Sequence, residues 1–262
     1  MSQRNHRRPQ SVTSRAATER RGSSSKRSKR SKQSEPAAPP AIVRADGLFK
    51  QYGDLPALGP VDLAIEQGAR VALIGHNGSG KTTLIRLLTG RLDPTDGTAL
   101  VAGHEPGSME ARAALSYLAD QPVFYEDLSV LEHLEYIARL HGREEWRDDA
   151  DELLERVGLT DRADDLPTTF SRGLKQKAAI CFAFVRPFEI LVVDEPFVGL
   201  DASGREALVS LFDRAHADGK TLIVATHELG TIGESTRVVA LRDGSVDYDG
   251  APDGDIRALV DG

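Results

Sequence analysis

The segment Gly75-His76-Asn77-Gly78-Ser79-Gly80-Lys81-Thr82 follows the order G-x-x-x-x-G-K-[ST], which is that of a phosphate-binding loop. Glycine at 75, 78 and 80 admits backbone angles that a side chain would forbid, so successive N–H groups can turn inward around an anion. A helix starting just after the loop adds its own N-terminal N–H groups. Lys81 brings a point charge to the β- and γ-phosphates, and Thr82 offers a hydroxyl to Mg²⁺. The spacing G-x-x-G-x-G differs from the G-x-G-x-x-G of a dinucleotide-binding loop. The chemistry indicated is binding of a nucleoside triphosphate.

A second group of residues extends that chemistry. Glu189-Ile-Leu-Val-Val-Asp194-Glu195-Pro196 reads as a buried strand ending in two carboxylates. An acid at the carboxyl end of a strand sits where Mg²⁺ binds, which suits Asp194. Glu195 suits polarisation of an attacking water. Two adjacent carboxylates repel unless a cation lies between them, and Mg²⁺ supplies one. Gln121 follows another short strand and can reach Mg²⁺ or the water. His227 ends the apolar run Thr221-Leu-Ile-Val-Ala-Thr and can hydrogen-bond a γ-phosphate. Ser171 and Gly173 precede a helical run and mark a second anion-ready helix start, although Ser171 alone reads as a plain N-cap. Tyr52 lies in a polar turn and could stack on a flat base.

These residues need a scaffold, and the hydrophobic pattern outlines one. Ala41–Ala45 and Val61–Ile65 alternate as strands of an antiparallel layer. Val71–Ile74 is the strand before the phosphate loop, and the helix after it ends near Gly90. Short strands follow at Thr98–Ala102 and Ala114–Ala119. Leu131, Leu134, Ile137 and Ala138 share one helical face, and Leu153, Leu154, Val157 and Leu159 share another. Residues 122–178 therefore read as a helical insert, in which Trp146 is a packing residue. Val238–Leu241 is a last strand, and the chain closes with a short polar segment. The expected fold class is α/β: a P-loop core with a mainly parallel sheet, an antiparallel β layer and the helical insert, over residues 41–258.

Composition sets the bounds. The chain has 262 residues and 40% hydrophobic content, enough for one large core. Its single cysteine, Cys181, allows no internal disulfide and reads as a small buried hydrophobe. No apolar run approaches the ~18 residues of a membrane span. Residues 1–34 hold eleven of the 33 Lys and Arg but only one acid, leaving 22 bases against 39 acids, a net charge of −17, for the rest. Residues 1–40 are expected to be a disordered basic tail, without the apolar stretch of a secretory signal. Such a tail suits adhesion to anionic lipid or to nucleic acid.

Taken together over about residues 41–250, the motifs resemble the nucleotide-binding subunits of the ATP-binding cassette family. Tyr52 resembles the adenine-stacking aromatic, and Gly75–Thr83 the Walker A loop and its first helical turn. Gln121 resembles the glutamine that touches Mg²⁺ and relays contact to the membrane partner. Ser171-Arg172-Gly173 resembles the signature loop, Ile190–Asp194 Walker B with Glu195 as catalytic carboxylate, Gly199-Leu200-Asp201 the D-loop, and His227 the switch histidine. Asp194-Glu-Pro-Phe-Val-Gly-Leu-Asp is closest to exporter-type subunits, including the Ecs-type group. The usual Leu-Ser-Gly-Gly-Gln reads Phe170-Ser-Arg-Gly-Leu here. The resemblance implies a head-to-tail dimer with a second copy (a homodimer) or a close relative, holding Mg²⁺ and ATP, with Lys81, Glu195 and His227 catalytic. It also implies a separate polytopic permease and a place on the cytoplasmic face of the membrane. The rival readings are a soluble cassette ATPase acting on nucleic acid or ribosomes, and a regulatory ATP-binding subunit.

Overall fold

The computed structural model describes residues 40–227 and 236–252. The basic tail read over residues 1–40 and the end of the domain read at 258 therefore fall outside the described residues, apart from Pro40.

A three-stranded antiparallel sheet runs β2-β1-β4, built from β1 (Ala41–Tyr52), β2 (Leu55–Glu66) and β4 (Asp96–Val101). Both strands of its first hairpin outrun the short alternating segments legible in sequence. Tyr52 pairs with Leu55 across a Gly53-Asp54 turn, and Gly53 has the positive φ such a tight turn requires. Polar residues such as Lys50 and Gln51 hide this strand from a pattern search, because one side of the layer faces water.

The second sheet has six strands in the order β5-β6-β7-β3-β8-β9. They are β3 (Arg70–Ile74), β5 (Leu115–Leu118), β6 (Ile190–Asp194), β7 (Thr221–Ala225), β8 (Arg237–Arg242) and β9 (Ser245–Gly250). The first five are parallel, and β9 returns antiparallel to β8. The polar closing segment is thus an edge strand with one side in water.

β6 and β7 are buried throughout, because both faces of the sheet are covered. Ile190, Val192, Ile223 and Ala225 pack with α1 (Lys81–Leu88) and the antiparallel layer. Leu191, Val193, Leu222 and Val224 pack on the opposite side with α3 (Val130–Leu140), α4 (Arg147–Val157), α5 (Arg172–Phe184) and α6 (Ala202–Ala217). A short α2 (Met109–Ala114) precedes β5. The stretch 128–165 is two helices joined by a turn. α3 begins at a capping box, in which Ser129 Oγ accepts from the Glu132 N–H and the Glu132 carboxylate accepts from the Ser129 N–H. α4 ends at Gly158 with positive φ. α5 begins at Arg172, six residues before the apolar run legible in sequence, because Ser171 caps it. Trp146 and Cys181 are core residues, and burial pushes the Cys181 thiol up to about 12.

Candidate nucleotide site

Strand parity and register assemble the site. Leu73 of β3 lies opposite Ala225 of β7, Ala225 opposite Asp194 of β6, and Val193 of β6 opposite Leu118 of β5. Four parallel strands end nearly level, so the segments after them (Gly75, His227, Glu195 and Gln121) emerge along one edge. That edge is where ligands bind in open α/β sheets. Asp194 has the same parity as Ile190 and Val192, whose side chains face α1. It meets that helix there: Thr82 Oγ1 donates to Asp194 Oδ2 at 3.2 Å.

The phosphate loop is held in a conformation that glycine makes possible. Gly75, Gly78 and Gly80 have φ of 143°, 86° and 106°. A methyl group on Gly75 would stand 2.2 Å from the Leu241 carbonyl oxygen and 2.6 Å from Ser79 Oγ. Lys81 is buried and donates to the carbonyls of Gly75 (2.6 Å) and His76 (3.2 Å). Burial lowers its pKa, while the charges of Glu195 and Asp194 work the other way. His76 is half-buried, with Nδ1 2.8 Å from the Asn77 carbonyl, and Asn77 is exposed. Ser79 is 1% exposed, and its Oγ has no hydrogen-bond partner among the described residues. Thr83 is half-buried in the first turn of α1. A buried ammonium held by loop carbonyls and an unpartnered buried hydroxyl both fit a polyanion seated in the loop.

The carboxylates occupy distinct environments. Asp194 is 4% exposed. Burial raises its pKa, the Thr82 hydroxyl pulls it down, and the charges of Glu195 and Asp120 push it up again. A buried carboxylate beside a hydroxyl offers two hard oxygen ligands to a small divalent cation. Glu195 takes a left-handed φ of 46°, an uncommon conformation for a residue with a side chain and one that clusters at functional sites. Its N–H donates to the Ala225 carbonyl at 2.9 Å. His227 Nδ1 lies 2.8 Å from Glu195 Oε2.

Other residues singled out in sequence lie apart from this cluster. Tyr52 is the last residue of β1, with a half-exposed ring and the Lys50 ammonium 5.4 Å from its centroid. Gln121 is exposed, three residues past β5. Ser171 accepts from the Leu174 N–H as the cap of α5. A methyl on Gly173 would stand 2.4 Å from the Gly199 carbonyl oxygen. Neither Ser171 nor Gly173 hydrogen-bonds the phosphate loop of its own chain.

Two supporting residues escape sequence reasoning. Gln176 Nε2 donates to the Pro196 carbonyl at 3.2 Å, and Lys177 Nζ donates to Asp201 Oδ2 at 3.0 Å. Both donors are buried. Asp201 also caps α6 through the Gly204 N–H. The available signal was two polar residues leading straight into the apolar run Ala178-Ala179-Ile180-Cys181, which becomes informative once α5 is known to start at Arg172.

Comparison with known proteins agrees with this geometry. The family model described as "ABC transporter" matches residues 58–198. The macrolide export ATP-binding/permease protein MacB of Rhodopseudomonas palustris (strain BisB18) is 36% identical over 219 residues, covering 78% of this chain and 33% of MacB. The SkfA peptide export ATP-binding protein SkfE of Bacillus subtilis (strain 168) is 32% identical over 211 residues, covering 79% of this chain and 88% of SkfE. The chain therefore spans about a third of the MacB relative but most of SkfE. Among solved structures, an ATP-binding subunit of an ABC transporter superposes with a TM-score of 0.77 at 32% identity, covering 84% of this chain and 95% of that one. The dimeric cassette MJ0796, in a post-hydrolysis state bound to ADP and Pi, superposes with a TM-score of 0.74 at 27% identity, covering 81% and 100%. With its phosphate loop, paired carboxylates and histidine on one sheet edge, this chain belongs to the ABC transporter family and carries its ATP-binding, ATP-hydrolysing domain.

Proposed function

We propose that the chain is the ATP-hydrolysing subunit of an exporter, working as a head-to-tail homodimer on the cytoplasmic face of a membrane with a separate permease. The observation that carries this reading is the edge cluster: Lys81 at the loop, Thr82 on Asp194, and Glu195 on His227. The exporter assignment leans on the relatives named for macrolide and SkfA peptide export.

In this reading Thr82 and Asp194, with Gln121, would hold Mg²⁺, which when bound would supply charge neutralisation for the phosphates. Lys81 binds the β- and γ-phosphates. Glu195 orients the attacking water, and His227 fixes the Glu195 carboxylate at 2.8 Å and hydrogen-bonds the γ-phosphate. Tyr52 offers a half-exposed ring for the adenine. Ser171 and Gly173, disengaged from their own loop, serve the nucleotide of the second copy. The dimeric form of MJ0796 supports that pairing.

A groove of about 620 Å³ beside Gln121 is the proposed seat of the permease. Val123, at 95% exposure, and Leu140 give it an apolar lip. Its charged lining is Arg91, Arg112 and Arg186, with no carboxylate, although the chain beyond its tail is acidic. Most described arginines form ion pairs, but Arg91, Arg112 and Arg186 form none among the described residues. Burial lowers the Arg186 pKa to about 10. This pattern selects an acidic, partly apolar segment of the partner. No helix among the described residues is long and apolar enough to cross a membrane, so the span is assigned to that partner. The basic residues 1–34 are assigned to anionic lipid or to nucleic acid, on charge alone.

The test compares Glu195→Gln with wild type in phosphate release and in ATP-dependent size-exclusion. The expected result is retained ATP binding, a stable ATP-bound dimer, and turnover lowered by about 10²-fold or more. Wild-type turnover by Glu195→Gln would refute the assignment.

A further inference from the structure

The first two turns of α5 grip two separate segments of the site. Gly173 closes on the Gly199 carbonyl, Gln176 donates to the Pro196 carbonyl and Lys177 pairs with Asp201. All three contacts go to the stretch that follows Glu195. Arg172 alone reaches the other way. Its stem packs over Gly199: a methyl there would stand 3.3 Å from Arg172 Cγ. Its Nη2 donates to Asp120 Oδ1 at 3.3 Å. Asp120 is the residue before Gln121, in the link between β5 and the helical stretch. Arg172 thus touches both the chain running from Glu195 and the chain carrying Gln121.

We propose that Arg172 is a positioning residue, its ion pair with Asp120 tying the Gln121 segment to the start of α5 so that the two shift together when ATP binds or leaves. The proposal rests on the assignment of Gln121 and Ser171 to the nucleotide in the preceding section. The exposure of the pair favours positioning over bulk stability: the Arg172 side chain is 64% exposed and that of Asp120 35%, and exposed pairs contribute little to folding.

The test uses the full-length chain with Arg172→Asp, Asp120→Arg and the double exchange. Two readouts are taken: hydrogen exchange of residues 119–123 without nucleotide, and kcat and KM for MgATP. Each single variant should speed exchange and lower kcat by about two- to fivefold, the size an exposed ion pair supplies, with KM and Tm held. The double exchange should restore both. Single variants that match wild type, or a double exchange that multiplies the two losses, would overturn the proposal. The exchange readout needs no turnover. A wild-type chain that fails to hydrolyse ATP would sink the proposed function, while exchange restored by the double variant would still support the Arg172 pairing.

Discussion

Replacing Gly173 with Ala tests whether α5 and the segment after Glu195 are fixed to each other. Helix propensity alone predicts a gain of at most the ~1 kcal/mol by which Ala exceeds Gly in a helix interior, since Gly173 lies in the first turn of α5. The packing predicts the opposite. The new methyl would stand 2.4 Å from the Gly199 carbonyl oxygen, about 1 Å short of ordinary contact at 3.4 Å. Both sides of that contact are backbone, so no side chain can swing away. Overpacking of this kind costs about 1–3 kcal/mol, which leaves a net loss of roughly 0–2 kcal/mol and a Tm lowered by up to about 8 °C. Activity is the sharper readout. The strain is relieved by moving Gly199, four residues from Glu195, or the start of α5, and a 1 Å displacement of positioned groups can cost ~10²-fold in rate. Steady-state phosphate release should therefore fall about 10- to 100-fold while most of the protein stays folded by circular dichroism. Hydrolysis within twofold of wild type, or a raised Tm, would show that the contact transmits nothing and that propensity governs this position.

Lys81→Met should weaken ATP binding by about tenfold or more, as measured by fluorescent-nucleotide titration, because a charge-assisted phosphate contact is lost. It also carries a pH signature. The folded pKa of Lys81 lies below 10.5, so its charged form costs stability at neutral pH and that cost fades as pH rises towards 10.5. Thermal melts across that range should move in favour of wild type over Lys81→Met; a pH-independent difference would contradict the burial argument. Asp201→Asn keeps an α6 cap, since Asn caps as well as Asp, but strips the Lys177 ammonium of its carboxylate. The expected loss is about 1 kcal/mol, held low because the Asp201 side chain is 63% exposed, or about 2–4 °C in Tm. The Lys177 hydrogen bond depresses the Asp201 pKa below 3.8. Its stabilisation is present above that value and vanishes as pH falls through the folded pKa, so the two melting curves should converge in acid. Persistence of the gap there would assign the loss to capping.

The phosphate loop, the strand ending in Asp194 and Glu195, and the strand leading to His227 were legible because their signals are local. Glycine spacing dictates a backbone shape, and a four- or five-residue apolar run between polar ends fits a strand covered on both faces. Tyr52, Gln121, Ser171 and Gly173 could be singled out by position, but their surroundings could not. α2, α6 and β9 were not recognised, since short or half-exposed elements carry little periodicity. α6, for instance, alternates small, polar and apolar residues from Ala202 to Ala217, and no local signal marks Asp201, singled out only for its likeness to a D-loop, as its cap.

By itself the sequence determined the class of ligand, because an anion cradle followed by Lys-Thr needs only neighbouring residues to exist. It also determined the parallel core, through apolar runs too short to be helices. Tertiary structure alone decided what those residues touch. Strand order and level strand ends bring Thr82 to Asp194, 112 positions away, and His227 to Glu195. The same register pairs Arg172 with Asp120 and clears Gly173 for the Gly199 carbonyl. Such contacts depend on sheet register and helix packing, which arise from burial summed over the whole core, and no local pattern encodes them.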